Sequence, residues 1–219
     1  MNWEDEGVDS PRRQFFAECL EKNLGDLSGK TVLDIGSGTG YSSVVFEKLG
    51  AAEYFGIEPS EKSVAISKNL YPKLQVTLGS LETVKLNRVF DVVVSIMVFE
   101  HIVDPETALK KINSLLTVNG FFFLIYSDIE VFSAPRFDIT VEVEDLGNGE
   151  KVARTTYPFG VIYDILRPTE NYAQYATSAG FKLVKQTPLY PTETFLQTAP
   201  RYEQFKEHAF VHLLVFQKV

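Results

Sequence analysis

The run Val32-Leu33-Asp34-Ile35-Gly36-Ser37-Gly38-Thr39-Gly40 restricts this chain more than any other: an apolar, strand-like stretch turns through three alternate glycines into a helical pattern. Glycine reaches backbone angles closed to other residues and carries no Cβ, so a ligand can lie against the main chain at the strand's carboxyl end. A buried strand feeding such a turn belongs to an α/β sheet, and the ligand it suits is nucleotide-sized.

The same alternation continues along the chain. Thr31 to Ile35, Tyr54 to Ile57, Leu74 to Leu78, Phe90 to Ile96 and Phe121 to Tyr126 are apolar without polar alternation, as strands covered on both faces are. Helical spacing fills the gaps at Tyr41 to Leu49, at Glu61 to Leu70 behind the cap Ser60, and at Pro105 to Leu116 behind the cap Asp104. Strand and helix in strict alternation predict a parallel sheet with helices on both faces. The stretch Leu81 to Leu86 reads as either a short helix or a loop. Ahead of this frame, Ser10 and Pro11 open a helix that Gly25 closes, with Phe15, Phe16, Cys19, Leu20 and Leu24 on one face. Residues 1–30 form a helical flank or lid.

After Tyr126 the period changes. Phe137, Ile139, Val141 and Val143 alternate with polar residues, Gly147-Asn148-Gly149 marks a turn, and Val152 to Tyr157 return, which predicts an antiparallel hairpin. Thr169 then caps a helix ending at Ala179 with Gly180 as its stop, followed by strands at Phe181 to Thr187 and about Ala209 to Gln217. Residues 1–219 read as one domain with an insertion at 128–167.

Spacing decides which nucleotide the glycine turn suits. A dinucleotide fingerprint starting at Gly36 needs Gly or Ala where Tyr41 stands, and one starting at Gly38 needs it where Ser43 stands. Neither register fits, and no Gly-Lys-Ser/Thr follows to make a phosphate-binding P-loop. Asp34-x-Gly36-x-Gly38-x-Gly40 instead resembles motif I of the class I S-adenosylmethionine-dependent methyltransferases. Glu58, ending the second strand, matches the acidic residue by which that family holds both ribose hydroxyls. A carboxylate suits this task because it accepts two hydrogen bonds from a diol. The run from Phe90 to Ile102, ending in Glu100-His101-Ile102, is similar to the fourth strand and following loop of the small-molecule, ubiquinone-biosynthesis-like branch. Leu115 to Phe122 corresponds to the turn before the fifth strand, with Asn119-Gly120 able to make it. The likeness covers about Thr31 to Phe123 and resumes from Arg167-Pro168 to Phe181.

The resemblance implies a Rossmann-like, seven-stranded, mostly parallel sheet with the last strand antiparallel. It implies S-adenosylmethionine as cofactor, leaving as S-adenosylhomocysteine. Its contacts would come from Asp34, Gly36, Ser37, Gly38, Gly40 and Tyr41 in the first loop, Glu58 and Pro59 after the second strand, Ser80 and Leu81 after the third, and Ser95 and Ile96 ending the fourth. One departure stands out: the family carries Gly-Asp after the third strand and this chain carries Gly79-Ser80, so adenine is left to Ser80, the Leu81 backbone or Glu82. The expected acceptor is an O or N atom of a small molecule, with a protein acceptor or a non-catalytic, cofactor-binding role as alternatives. The acceptor site would lie between the leading helix, the Glu100-His101 loop and the insertion as its cap.

Several residues support two readings. Asp34 either touches the ligand or organises the loop through hydrogen bonds. His101 is either a general base or a loop anchor, and Glu100 shares that choice. Phe132, Phe137, Tyr157, Phe159 and Tyr163 either wall an acceptor pocket or pack as core. Met97 and Phe99 read as packing, and His208 and His212 as structural. Composition excludes other classes: the 219 residues carry 29 acidic and 21 basic side chains, a net charge of −8, and one cysteine. That balance disfavours a nucleic-acid binder and suits a cationic cofactor. Cys19 alone permits neither a disulfide framework nor a four-thiolate metal site, and no metal is expected. No stretch reaches the roughly 18 apolar residues of a membrane span, and the expected compartment is the cytoplasm.

Overall fold

The runs beginning at Thr31, Tyr54, Phe90 and Phe121 assemble as the centre of a seven-stranded sheet, whereas the run from Leu74 to Leu78 becomes an edge strand with Gln75, Thr77 and Leu78 exposed and is not covered on both faces. The computed structural model describes residues 10–135 and 139–219, so the first nine residues and Phe137 lie outside the described part. Strands β1 (Thr31–Ile35), β2 (Glu53–Glu58), β3 (Gln75–Leu78), β4 (Phe90–Ile96), β5 (Leu116–Ser127), β9 (Phe181–Leu189) and β10 (Val211–Lys218) lie in the order β3-β2-β1-β4-β5-β10-β9. β10 runs antiparallel to both its neighbours while β3, β2, β1, β4 and β5 pair in parallel.

Period-2 geometry explains why these strands show no polar alternation. Leu33, Ile35, Val93, Phe122 and Leu124 point into one apolar cluster, where they meet Leu109 and Ile112 of α4 (Pro105–Leu115) and Tyr172 and Ala176 of α6 (Thr169–Ser178). Val32, Val92, Val94, Phe123 and Ile125 point the other way, against Phe15, Phe16 and Leu20 of α1 (Pro11–Leu24) and Val45 and Phe46 of α2 (Ser43–Lys48). Both faces are covered, so both sets of positions must be apolar.

Start signals act where they were read in three helices. Ser10 Oγ accepts from Arg13 N, Ser60 Oγ from Ser63 N at the head of α3 (Glu61–Leu70), and Asp104 Oδ1 from Thr107 N. Thr169 is a correction: Pro168 occupies the cap position of α6, and the Thr169 hydroxyl instead bonds the Tyr126 hydroxyl at 2.5 Å. Leu81 to Leu86 forms turns and loop. The turn at Asn119-Gly120 sits within β5 as an irregularity of register, with Asn119 at φ 63°.

The insertion is larger than a hairpin. β6 (Thr140–Gly147), β7 (Glu150–Tyr157) and β8 (Gly160–Leu166) form a separate three-stranded antiparallel sheet, preceded by α5 (Ile129–Ser133). α7 (Glu193–Thr198) and a 3-10 segment at Pro200–Phe205 connect β9 to β10. These short helices hold five or six residues each, too few for a helical period to show in sequence. Among the described residues no helix is long and apolar enough to cross a membrane.

Candidate functional site

The glycine turn is held from below. Gly36 N and Ser37 N both donate to Ile57 O at 2.8 and 3.1 Å, which ties the loop to the end of β2. Gly36, Gly38 and Gly40 all adopt positive φ, and a Cβ at Gly36 would stand 2.4 Å from Val98 Cγ2. A Cβ at Gly38 would meet nothing within 4 Å, because that position faces open space. Glu58 closes the loop: Oε2 accepts from Gly38 N at 2.8 Å and Oε1 from Ser60 N at 2.9 Å.

Asp34 lies beneath this turn. Its Oδ2 accepts from Ser42 Oγ at 2.5 Å and Tyr54 Oη at 3.0 Å. Burial pushes its carboxyl up to about 7 against the lowering effect of those two bonds, and the nearby Glu58 charge adds to the rise.

Above the loop lies a cavity of about 500 Å³, a size suited to a small-molecule ligand. Its floor is the carboxyl ends of β1, β2 and β4, represented by Ile35, Gly36, Ile57, Glu58 and Ile96. Gly79, Ser80, Leu81 and Glu82 close the side beyond β3. Arg12, Arg13 and Phe16 of α1 form another wall, and Arg13 sits over the Tyr41 ring at 5.7 Å.

The remaining wall comes from distant parts of the chain. A 3-10 turn at Phe99–His101 follows β4 and contributes Glu100 and His101. Phe132 of α5, Tyr157 of β7, and Ile162 and Asp164 of β8 face it from the insertion. His101 Nδ1 stands 3.5 Å from Asp164 Oδ1; the imidazole is half exposed and the carboxyl largely covered. Glu100 is 2% exposed, and its Oε1 accepts from both Ser127 N (2.6 Å) and Ser127 Oγ (2.5 Å), fastening the turn to the end of β5.

A protein-family model described as "Methyltransferase domain" matches residues 8–186, most of the chain. The chain belongs to the class I S-adenosylmethionine-dependent methyltransferases. Over 103 residues the methyltransferase is 32% identical to the ubiquinone biosynthesis O-methyltransferase of Bradyrhizobium diazoefficiens, covering 45% of this chain and 40% of that protein. It is 33% identical over 93 residues to protein arginine N-methyltransferase 6 of Xenopus tropicalis, covering 40% of this chain and 27% of that one. Each match thus spans less than half of the relative's own length. In structure it is similar to an S-adenosylmethionine-dependent methyltransferase from Listeria monocytogenes, with a TM-score of 0.76 at 20% identity, covering 94% of this chain and 98% of the other.

The residues of the methyltransferase fit its cofactor. A loop without side chains at Gly36 and Gly38, a carboxylate at Glu58 and an apolar floor suit a nucleoside carrying a cationic tail. Of the positions singled out from sequence, Gly36, Gly38, Tyr41, Glu58, Pro59, Ser80, Leu81, Ile96, Glu100 and His101 line the cavity. Asp34, Ser37, Gly40 and Ser95 are buried around it without lining it. Phe132 and Tyr157 line it too, whereas Phe159 and Tyr163 are exposed away from it. Among the described residues no cluster of His, Cys, Asp and Glu could hold a metal ion.

Asp164 escaped the sequence reading, although a signal was present. Ile162, Asp164 and Leu166 share one face of β8, so a lone carboxylate interrupts an apolar row. Arg12 and Arg13 escaped too, since the first turn of a helix gives an arginine no mark distinguishing a cavity wall from a solvated surface.

Proposed function

We propose that this methyltransferase methylates a hydroxyl oxygen of a small, partly aromatic molecule. The observation that carries this is the His101–Asp164 pair at the cavity wall. An amine is nucleophilic while neutral and needs no base, whereas a hydroxyl gains nucleophilicity as its proton leaves. Asp164 facing Nδ1 favours the tautomer protonated there and leaves Nε2 as the proton acceptor. The cofactor supplies a methyl group on a sulfonium that departs as a neutral thioether.

In this reading His101 Nε2 would take the proton of the acceptor hydroxyl as its oxygen becomes the nucleophile for the methyl group. Glu58 receives the ribose hydroxyls, and its present bonds to Gly38 N and Ser60 N hold it at the end of β2. Gly36, Gly38 and Tyr41 would flank the tail of the cofactor, while Pro59, Ser80, Leu81 and Ile96 would enclose its base. Asp34 shapes the loop from behind. Phe16, Met97, Phe132, Tyr157 and Ile162 give the acceptor an apolar, aromatic surround, so α1 and the inserted sheet cap the acceptor end. The name of the ubiquinone biosynthesis relative supports oxygen as the methylated atom.

The test is product analysis with methyl-labelled S-adenosylmethionine and a panel of phenols, aliphatic alcohols, amines and arginine-containing peptides. O-methylated phenol is the expected product. Label found only in amines or peptides, or cofactor binding without turnover on any acceptor, overturns the proposal.

A further inference from the structure

We propose that Arg167 is a positioning residue that holds His101 in register with Asp164; this rests on the reading of His101 as the base. Arg167 follows β8, immediately before the cap of α6, and is 2% exposed. Burying a guanidinium is costly unless its donors are matched, so its partners reveal what it is there to hold. Nη1 donates to Phe99 O at 2.9 Å, and Nη2 donates to Ile102 O at 2.8 Å and Val103 O at 3.4 Å. Those carbonyls bracket the turn that presents Glu100 and His101.

The opposite side of the guanidinium faces the insertion. Nε stands 3.5 Å from Glu150 Oε1 at the start of β7, and the same oxygen accepts from Tyr175 Oη at 2.8 Å and Asn171 Nδ2 at 3.1 Å. Arg167 therefore joins three parts: the turn carrying His101, the sheet carrying Asp164, and helix α6. Glu100 holds the same turn from the β5 side through Ser127. A short 3-10 turn has little rigidity of its own, so these clamps set where the imidazole stands. A lysine at this position replaces a planar fork, whose Nη1 and Nη2 reach separate carbonyls in fixed geometry, by a single point-like ammonium on a flexible stem.

The experiment follows the imidazole of His101 by NMR in the full-length protein bound to S-adenosylhomocysteine, with the three histidines distinguished by substitution. Arg167→Lys should shift the His101 resonances, in the direction given by Asp164→Asn. It should also lower methyl transfer about 10- to 100-fold, as small misplacements of catalytic groups do, with S-adenosylhomocysteine affinity retained. In a His101→Gln background the same substitution should lower transfer no further. Glu150→Gln keeps the fork and removes the facing charge, and should move the same resonance less; it decides the matter if Arg167→Lys does not fold. A lower melting temperature with unchanged His101 resonances would overturn the inference. Shifted resonances with full turnover in His101→Gln would leave the positioning role standing and overturn His101 as the base.

Discussion

At one end of the cavity the walls come from Ile35, Gly36, Gly38, Thr39 and Tyr41 and from residues 57–60, two short runs bound to each other by backbone hydrogen bonds. At the other they come from α1, the turn at Phe99–His101 and the inserted sheet, with Arg12 and Asp164 at the extremes of the sequence span. The first end is made of backbone geometry: positive φ at three glycines and a carboxylate receiving loop amides. The second is made of side chains brought together by tertiary packing. Local constraints tolerate few alternatives, whereas a wall built from distant segments can change one segment at a time.

Substitutions at the two ends should therefore fail in different ways. The largest effect is expected from His101→Gln, which should lower methyl transfer about 10²- to 10⁴-fold, the usual contribution of a general base, while calorimetric affinity for S-adenosylhomocysteine stays constant. Loss of that affinity would erase the division between the two ends. Glu58→Ala should do the reverse, weakening the cofactor about 100-fold in calorimetry through lost charge-assisted hydrogen bonds.

Gly36→Ala is the sharpest probe of the backbone end. Its Cβ would collide with Val98 at a φ of +68°, a strain of about 1–3 kcal/mol, expected to lower the melting temperature by about 2–12 °C. Asp34 gives a pH signature. Its carboxyl rises from 3.8 unfolded to about 7 folded, so the folded chain binds that proton more tightly. The resulting stability is complete below about pH 4, declines as pH rises, and is lost above about 7, a change on the order of 4 kcal/mol at most. Asp34→Asn cannot ionise, so its melting temperature should vary less between pH 5 and 8 than that of the parent. An equally steep profile would remove Asp34 as the cause.

The smallest effect is expected at Ile162→Ala in the acceptor wall. It should raise KM for an accepted phenol about 5- to 30-fold, on the order of 1–2 kcal/mol, with cofactor affinity unaltered in calorimetry.

Much of the sheet was legible because strands covered on both faces must be apolar at every position, as Phe121 to Tyr126 are. Glu58 was legible because it stands at a strand's carboxyl end at a fixed spacing from the glycines. The third strand of the insertion was not, because Val161 to Leu166 mixes exposed and buried apolar residues and follows a tight Tyr157-Pro158-Phe159-Gly160 turn. Thr169 looked like a cap and is a partner of Tyr126, since Pro168 already begins the helix with an extended backbone.

By itself the sequence determined the α/β frame, the glycine loop and the acidic residue beside it, because each follows from backbone conformations and periods set by neighbouring residues. Only the tertiary structure decided that Asp164 faces His101 and that Arg167 grips the turn between them. These residues lie more than sixty positions from their partners in Phe99, His101 and Ile102, and only the docking of the inserted sheet against the turn after β4 brings them together.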